Sequence, residues 1–402
     1  MGPHLRTRTT RRVALFLSAV GVSGRERTFL ALAERLAGRG VRVEVVTVRP
    51  TADLRCAIPD GVGLVDLERW WSRLPGLGST NKRRIYLSVP ALVGYLQRSR
   101  PDVMLSTSIP PNLTALRAIA RSGVGTPLVL RQSNVVHIPG SPGYQSVRPR
   151  LRDRFIPRWY PLATAIVAVS EGVAENLLEL VDFPRDRIHT IPNWNVPPEL
   201  ARMAQEPVDH PWLAESQEGP VLVAVGRLVA KKDYPTLLRA FARVRAALPA
   251  RLIVLGRDGG ERERIEAFAR ELGLPDHVDF VGHRANPFAY LSRADCFVLS
   301  SVSEGMPNAL VEALACGCPV VSTDCASGPA EILEHGAHGR LVPVGDDRSL
   351  AAAIEATLAA PPEREKLRAR GAQFAQERAV DRYVDVLETA ARLGDFSRHP
   401  GH

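Results

Sequence analysis

Short apolar runs alternate with stretches of helical apolar spacing along this chain, and the alternation comes as two successive series. A strand buried on both faces reads as a continuous apolar run, and its parallel neighbour needs a crossover, usually a helix. The pattern therefore predicts α/β architecture with parallel sheets. The first series predicts strands at Val13–Ser18, Val41–Val48, Val103–Ser106, Pro127–Arg131 and Ala165–Val169. A helix from about Arg25 to Gly38 joins the first two, with Phe29, Leu30, Ala33, Leu36 and Ala37 at helical spacing. The second predicts strands at Val221–Val225, Arg251–Leu255, Val278–Val281, Cys296–Leu299 and Pro319–Ser322. Its helices lie near Tyr234–Ala247, Glu261–Leu272, Pro287–Arg293 and Asn308–Cys316.

Pro192-Asn-Trp-Asn-Val-Pro-Pro198 and the polar stretch to Pro220 separate the series and read as a linker. The expected domains are 1–205 and 206–375, followed by a helical Ala/Arg/Glu-rich tail. A total of 402 residues suits two domains of common size. No apolar run approaches the ~18–20 residues of a membrane span. Arg6 to Arg12 before Val13–Val20 imitate a signal peptide, but a first buried strand is the better reading, because the run is short and leads into a helix. Residues before Arg12 read as a disordered arm. Five cysteines, an odd number in a long chain, suggest a reducing compartment. Cys316, Cys318 and Cys325 lack zinc-type spacing and read as a helix end entering a buried strand.

Residues 1–200 carry 28 Lys+Arg against 15 Asp+Glu, a net of +13, while the whole chain is +9. The basic half suggests an anionic partner, a membrane surface or an acidic acceptor. Asn81–Leu96 is the local candidate for membrane contact, since Lys82, Arg83 and Arg84 precede an apolar helical stretch; a core helix with solvated ends is the alternative. No helix-turn-helix, zinc or aromatic-platform signature points to nucleic acid.

Two motifs carry chemistry. Glu304-Gly-Met-Pro-Asn-Ala-Leu-Val-Glu312 follows a strand and opens a helix, with Pro307 suited to its first turn. Open α/β sheets bind ligands at such strand ends, and the N–H groups of a helix start favour an anion. Glu312 shares a face with Asn308. Two acceptor-only carboxylates beside an anion site suit a ligand bearing both phosphate and hydroxyls; a capped helix with a solvated Glu is the plain alternative. Gly226-Arg-Leu-Val-Ala-Lys-Lys-Asp233 follows the first strand of the second series, a phosphate-gripping layout or else a solvated basic turn. Only four of the 52 basic residues are lysines, and Lys231 and Lys232 are two of them. A lysine in so Arg-rich a chain reads as selected for a compact point charge.

Gly226-Arg-Leu with Lys232, followed by Glu304 and Glu312, resembles the family 4 retaining glycosyltransferases, also described as glycosyl transferases group 1. Gly24-Arg-Glu-Arg, Ser170-Glu-Gly-Val, Ile191-Pro-Asn, Val281-Gly-His-Arg-Ala-Asn-Pro and Ser327-Gly-Pro-Ala-Glu-Ile-Leu333 stand in similar order. The resemblance implies a GT-B fold, two Rossmann-like domains facing across a cleft. It also implies a C-terminal helix of about 376–395 packing back on the first domain. Arg227 and Lys232 would hold the donor diphosphate, Glu304 the donor sugar, and Glu312 the ribose. The turn Gly305, Met306, Pro307 and Asn308 would face the sugar and phosphate with its backbone N–H groups. Arg257 would lie near the base, and Gly226 and Gly24 would allow close approach to the diphosphate. His137 is the acceptor-side candidate, with a structural histidine as the alternative. The first loop, Gly21-Val-Ser-Gly24, departs from the family's glycine pair.

The implied reaction moves a hexose or N-acetylhexosamine from a nucleotide sugar, UDP-linked, to an envelope glycan, lipid-linked sugar or glycolipid. A nucleotide-sugar epimerase or phosphorylase on the same fold and a non-catalytic subunit are the rivals. No cofactor and no metal are expected, since no Asp-x-Asp occurs and cations stand in the metal's place. The expected partners are the donor, the glycan or lipid-linked acceptor and an anionic membrane surface, without nucleic acid. The expected location is cytoplasmic, with peripheral contact at the inner face of the cell membrane.

Overall fold

The computed structural model describes residues 12–17, 24–68, 81–137, 151–194, 196–213 and 219–398. The loop 21–23 and the arm before Arg12 lie outside them. The described chain forms two compact units. Unit 1 combines residues 1–169, 173–192 and 379–402; unit 2 comprises 170–172 and 193–378.

In unit 1 the strands are β1 (Arg12–Phe16), β2 (Arg42–Thr47), β3 (Gly63–Asp66), β4 (Val103–Thr107), β5 (Leu128–Gln132), β6 (Ala165–Ala168) and β7 (Ile188–Thr190). They form one parallel sheet in the order β3-β2-β1-β4-β5-β6-β7. Unit 2 contains β8 (Val221–Val225), β9 (Arg251–Leu255), β10 (Val278–Gly282), β11 (Cys296–Leu299), β12 (Val320–Thr323) and β13 (Arg340–Val342). Its parallel order is β10-β9-β8-β11-β12-β13. Each unit is thus Rossmann-like, with the strand order reversing beside its first strand. The fold is GT-B.

All but one of the apolar runs became inner strands, which are buried on both faces; the exception, β10, is an edge strand and only partly buried. Val13 to Phe16, Val103 to Leu105 and Leu222 to Val223 are all at most 1% exposed. The edge strands β3, β7 and β13 escaped sequence reading. An edge needs no continuous apolar run, and Gly63-Leu-Val-Asp and Arg340-Leu-Val carry exposed ends.

Two expectations change. The supposed linker is structured in its first half: Asn193 and Trp194 are buried, and a helix, Leu200–Gln205, is held by Asn286 Nδ2 on Met203 O at 2.8 Å and Ser292 Oγ on Ala204 O at 2.8 Å, while residues 195 and 214–218 lie outside the described residues. Its polar residues face solvent while its carbonyls anchor it. The proposed membrane helix is a core helix. In Val89–Ser99 the residues Val89, Ala91, Leu92, Tyr95 and Leu96 are buried, and the Tyr95 hydroxyl donates to Glu44 Oε2 at 2.7 Å. The apolar face was already committed to packing inside unit 1, and the side chains of Lys82 and Arg83 lie outside the described residues. Among the described residues, no helix is long and apolar enough to cross a membrane.

Unit 1 is also closed by the C-terminal helix Gln376–Arg398, whose Tyr383 is buried against Arg131 of β5.

Candidate active site

In unit 2 the strand order reverses between β8 and β11, and the two chemical motifs leave the carboxyl ends of those two strands. Topology, not sequence proximity, therefore joins them. After β8, Gly226 leads to a 3-10 turn, Ala230–Lys232, and Asp233 with φ 45° caps the helix Tyr234–Ala247 by accepting from Thr236 N. After β11, Ser300 to Pro307 form a buried loop before the helix Asn308–Ala315. Pro307 is the extended residue before that helix rather than within its first turn (φ −72°, ψ 104°).

The loops meet at Glu304. Its side chain is 7% exposed. Oε1 accepts from Lys232 Nζ at 2.6 Å and Ser301 Oγ at 2.9 Å, while Oε2 accepts from Lys231 Nζ at 3.3 Å. Burial alone would raise the carboxyl pKa. The two ammonium charges, with the hydrogen bonds from Lys232 and Ser301, outweigh it and hold Glu304 at about 2. The site is therefore a clamped carboxylate with two cations, not the solvated Glu of the plain alternative.

Several small contacts build this geometry. Ser300 Oγ donates to Lys232 O at 2.7 Å, Val302 N to Lys231 O at 2.9 Å, and Thr323 Oγ1 to Ser301 O at 2.6 Å. Tyr234 is buried and its hydroxyl donates to Gly226 O at 2.8 Å. A Cβ on Gly226 would meet Lys232 Cε at 2.9 Å, so a larger residue would push the lysine stem aside. Cys325 is buried near Glu304; burial, and then the Glu304 charge, push its thiol up to about 12, so it is inert.

Three segments that sequence order had only associated with the motif converge on Gly305–Asn308. Ser170 Oγ donates to Gly305 O at 2.8 Å and lies 2.7 Å from Ser327 Oγ, which itself donates to Gly305 O at 3.1 Å. Asn193 Nδ2 donates to Asn308 Oδ1 at 2.8 Å and to Met306 O at 3.3 Å. Glu331 accepts from the N–H groups of Glu171 and Gly172, both at 2.9 Å. Gly328 (φ 93°) comes so close that a Cβ would meet Gly305 O at 2.8 Å. Gly305, Met306 and Pro307 are buried and rigidly framed as a result. Sequence reasoning missed Ser301, Tyr234, Ser170, Asn193, Ser327 and Glu331 as site-builders, although four of them lie in the motif-like segments.

The remaining candidates fall elsewhere. Arg227 and Arg257 are exposed and do not join the Glu304 cluster, though Leu228 N donates to Arg257 O at 3.0 Å and so ties the two loops. Glu312 is partly exposed, one turn into the helix Asn308–Ala315. Gly24 opens the helix Gly24–Gly38 of unit 1, and the loop before it is outside the described residues. His137 is in unit 1. Asn176 brackets its backbone, accepting from His137 N at 3.2 Å and donating to His137 O at 2.7 Å. Arg152 Nη1 lies 3.0 Å from its Nδ1. A guanidinium only donates, so Nδ1 accepts and the ring proton is assigned to Nε2.

The description "Glycosyl transferases group 1" matches residues 206–374, and "Glycosyltransferase Family 4" matches residues 22–194. The chain belongs to the family 4 glycosyltransferases. This family member is 33% identical over 227 residues to the lipopolysaccharide core biosynthesis glycosyltransferase LpsE of Rhizobium meliloti, covering 55% of this chain and 63% of LpsE. It is 31% identical over 220 residues to the N-acetylgalactosamine-N,N'-diacetylbacillosaminyl-diphospho-undecaprenol 4-alpha-N-acetylgalactosaminyltransferase of Campylobacter jejuni, covering 55% of this chain and 56% of that enzyme. The aligned stretch thus spans less than two thirds of either relative. Among solved structures, Anabaena Alr3699/HepE in complex with UDP and glucose superposes with a TM-score of 0.72 at 20% identity, over 94% of this chain and 99% of that one.

Proposed function

We propose that this family 4 member is a retaining glycosyltransferase that moves a hexose or N-acetylhexosamine from a UDP-sugar to an envelope glycan or lipid-linked acceptor. The observation that carries the reading is the Lys231–Glu304–Lys232 cluster at the strand-order reversal of unit 2. Breaking the bond between sugar and diphosphate leaves an electron pair, and so negative charge, on the departing phosphate oxygen. Lys232 on its flexible stem, with Arg227 exposed on the same loop, meets that charge; one such fixed donor is typically worth ~2.7–4 kcal/mol in an oxyanion site. Glu304 accepts from donor-sugar hydroxyls, and Glu312 from the ribose. His137 faces the acceptor, and Arg257 the base. The donor class is supported by the UDP named for the Anabaena protein, and the acceptor class by the lipopolysaccharide core and diphospho-undecaprenol named for the relatives.

Cationic side chains in the leaving-group position make the reaction metal-independent. Contact with an anionic membrane surface, at the inner face of the cell membrane, is part of the same reading, because a lipid-borne acceptor is met at the bilayer. The exposed Arg154 and Arg158, beside Leu162 at 60% exposure, suit such a surface better than the buried helix Val89–Ser99.

The test is a panel of nucleotide sugars scored for hydrolysis, transfer and thermal stabilisation, with and without excess EDTA. UDP-sugars should stabilise the protein, and turnover should survive chelation. Loss of turnover to EDTA with recovery on adding metal would overturn the leaving-group account.

A further inference from the structure

We propose that Lys231 is a positioning residue of the donor site, remaining on Oε2 of Glu304 and keeping that carboxylate charged and aimed while Lys232 turns to the donor diphosphate. The inference rests on the donor-site reading above.

The two lysines are not redundant. Lys232 Nζ binds Oε1 and Lys231 Nζ binds Oε2, so one can leave without displacing the other. Their backbones are pinned to the loop that carries Glu304, Lys231 O by Val302 N and Lys232 O by Ser300 Oγ. Only the side chains are left to move, and a lysine stem has the rotational freedom to do so. Once Lys232 shares its charge with a diphosphate, Glu304 would be a buried carboxylate with Ser301 Oγ as its remaining neutral donor, close to an anionic ligand. Like charge and burial both favour the protonated form. A protonated Glu304 gains an O–H donor and loses acceptor capacity, so it would meet the sugar hydroxyls with altered chemistry. Lys231 prevents that: its side chain is 30% exposed against 14% for Lys232, and it supplies a second cation without leaving solvent completely.

The experiment compares Lys231→Ala, Lys231→Arg and Lys232→Ala with the unaltered protein, using UDP and UDP-glucose as probes in titration calorimetry near neutral pH and about two units lower. Lys231→Ala should bind UDP within about twofold of the unaltered protein, yet lose about tenfold or more of its UDP-glucose affinity on acidification. Lys231→Arg should restore the pH-insensitive binding. Lys232→Ala should weaken UDP itself. If Lys231→Ala weakens UDP as much as Lys232→Ala does, Lys231 is a phosphate ligand and the inference is overturned. If its UDP-glucose binding follows the unaltered protein at both pH values, Lys231 is a bystander and the inference fails while the donor reading stands. Failure of the unaltered protein to bind either probe removes the donor reading and this inference together.

Discussion

Arg131 Nε donates to the Tyr383 hydroxyl at 2.9 Å although 252 positions separate the two residues, and both side chains are 1% exposed. Arg131 also donates to Thr107 Oγ1 at 3.3 Å and lies 5.8 Å from the Phe29 ring centroid. The C-terminal helix therefore supplies a partner to a buried charge at the carboxyl end of β5. Tyr383→Phe keeps the ring and removes the acceptor. It should destabilise the protein by about 1–3 kcal/mol, the cost of leaving a buried polar group short of a partner. A denaturant midpoint equal to that of the unaltered protein would show that the contact is energetically neutral.

Lys232→Ala removes the cation assigned to the leaving phosphate. It should lower kcat/KM by on the order of 10²-fold or more with the circular dichroism spectrum unchanged, as for loss of a charge-stabilising donor. Lys231→Ala should leave affinity for the nucleoside diphosphate nearly intact near neutral pH. Equal losses of turnover and nucleotide affinity in both variants would reduce the pair to a diffuse basic patch.

The two glutamates should separate. Glu312→Gln should weaken nucleotide binding, because the proposed role of its carboxylate is to accept from two ribose hydroxyls, whereas Glu304→Gln should mainly lower turnover and relax the choice of donor sugar. Loss of UDP affinity in Glu304→Gln alone would reverse the assignment.

Acid stability should report the same site. Glu304 titrates at about 2 in the fold against an ordinary 4.5. A lowered folded pKa stabilises the protein above pH 4.5, and that contribution is lost as pH falls from 4.5 to about 2. Glu304→Gln should be less stable near neutral pH, where it leaves two lysines without their carboxylate, and its stability should fall less steeply across that window. Parallel stability–pH curves for the two proteins would mean that Glu304 gains no net stabilisation from its lysines.

Membrane contact, if carried by charge, should rise with anionic lipid and fall with salt, each cation near the surface contributing about 1 kcal/mol. Arg154→Glu with Arg158→Glu should reduce co-sedimentation with anionic vesicles. Equal recovery with neutral and anionic vesicles would point instead to a soluble acceptor.

Much of this molecule is written in local pattern. Val221–Val225, Arg251–Leu255 and Cys296–Leu299 read as strands because they are short, apolar and rich in β-branched or aromatic residues, as strands buried on both faces are, and the two parallel sheets follow from their alternation with helices. Gly226, Lys232, Glu304 and Glu312 could be singled out because residue type and spacing announce chemistry. Only the tertiary structure decided what these residues meet. That Lys231 shares Glu304 with Lys232 depends on β8 lying beside β11, a pairing across 71 positions of chain from the end of β8 to the start of β11 that no local period encodes. That Ser170, Asn193 and Ser327 frame Gly305–Asn308 depends on hydrogen bonds between distant loops. The helical stretch after Lys82 had the composition of a membrane-binding face and became core, because an apolar face packs against whatever surface the fold brings to it, and sequence composition does not say which.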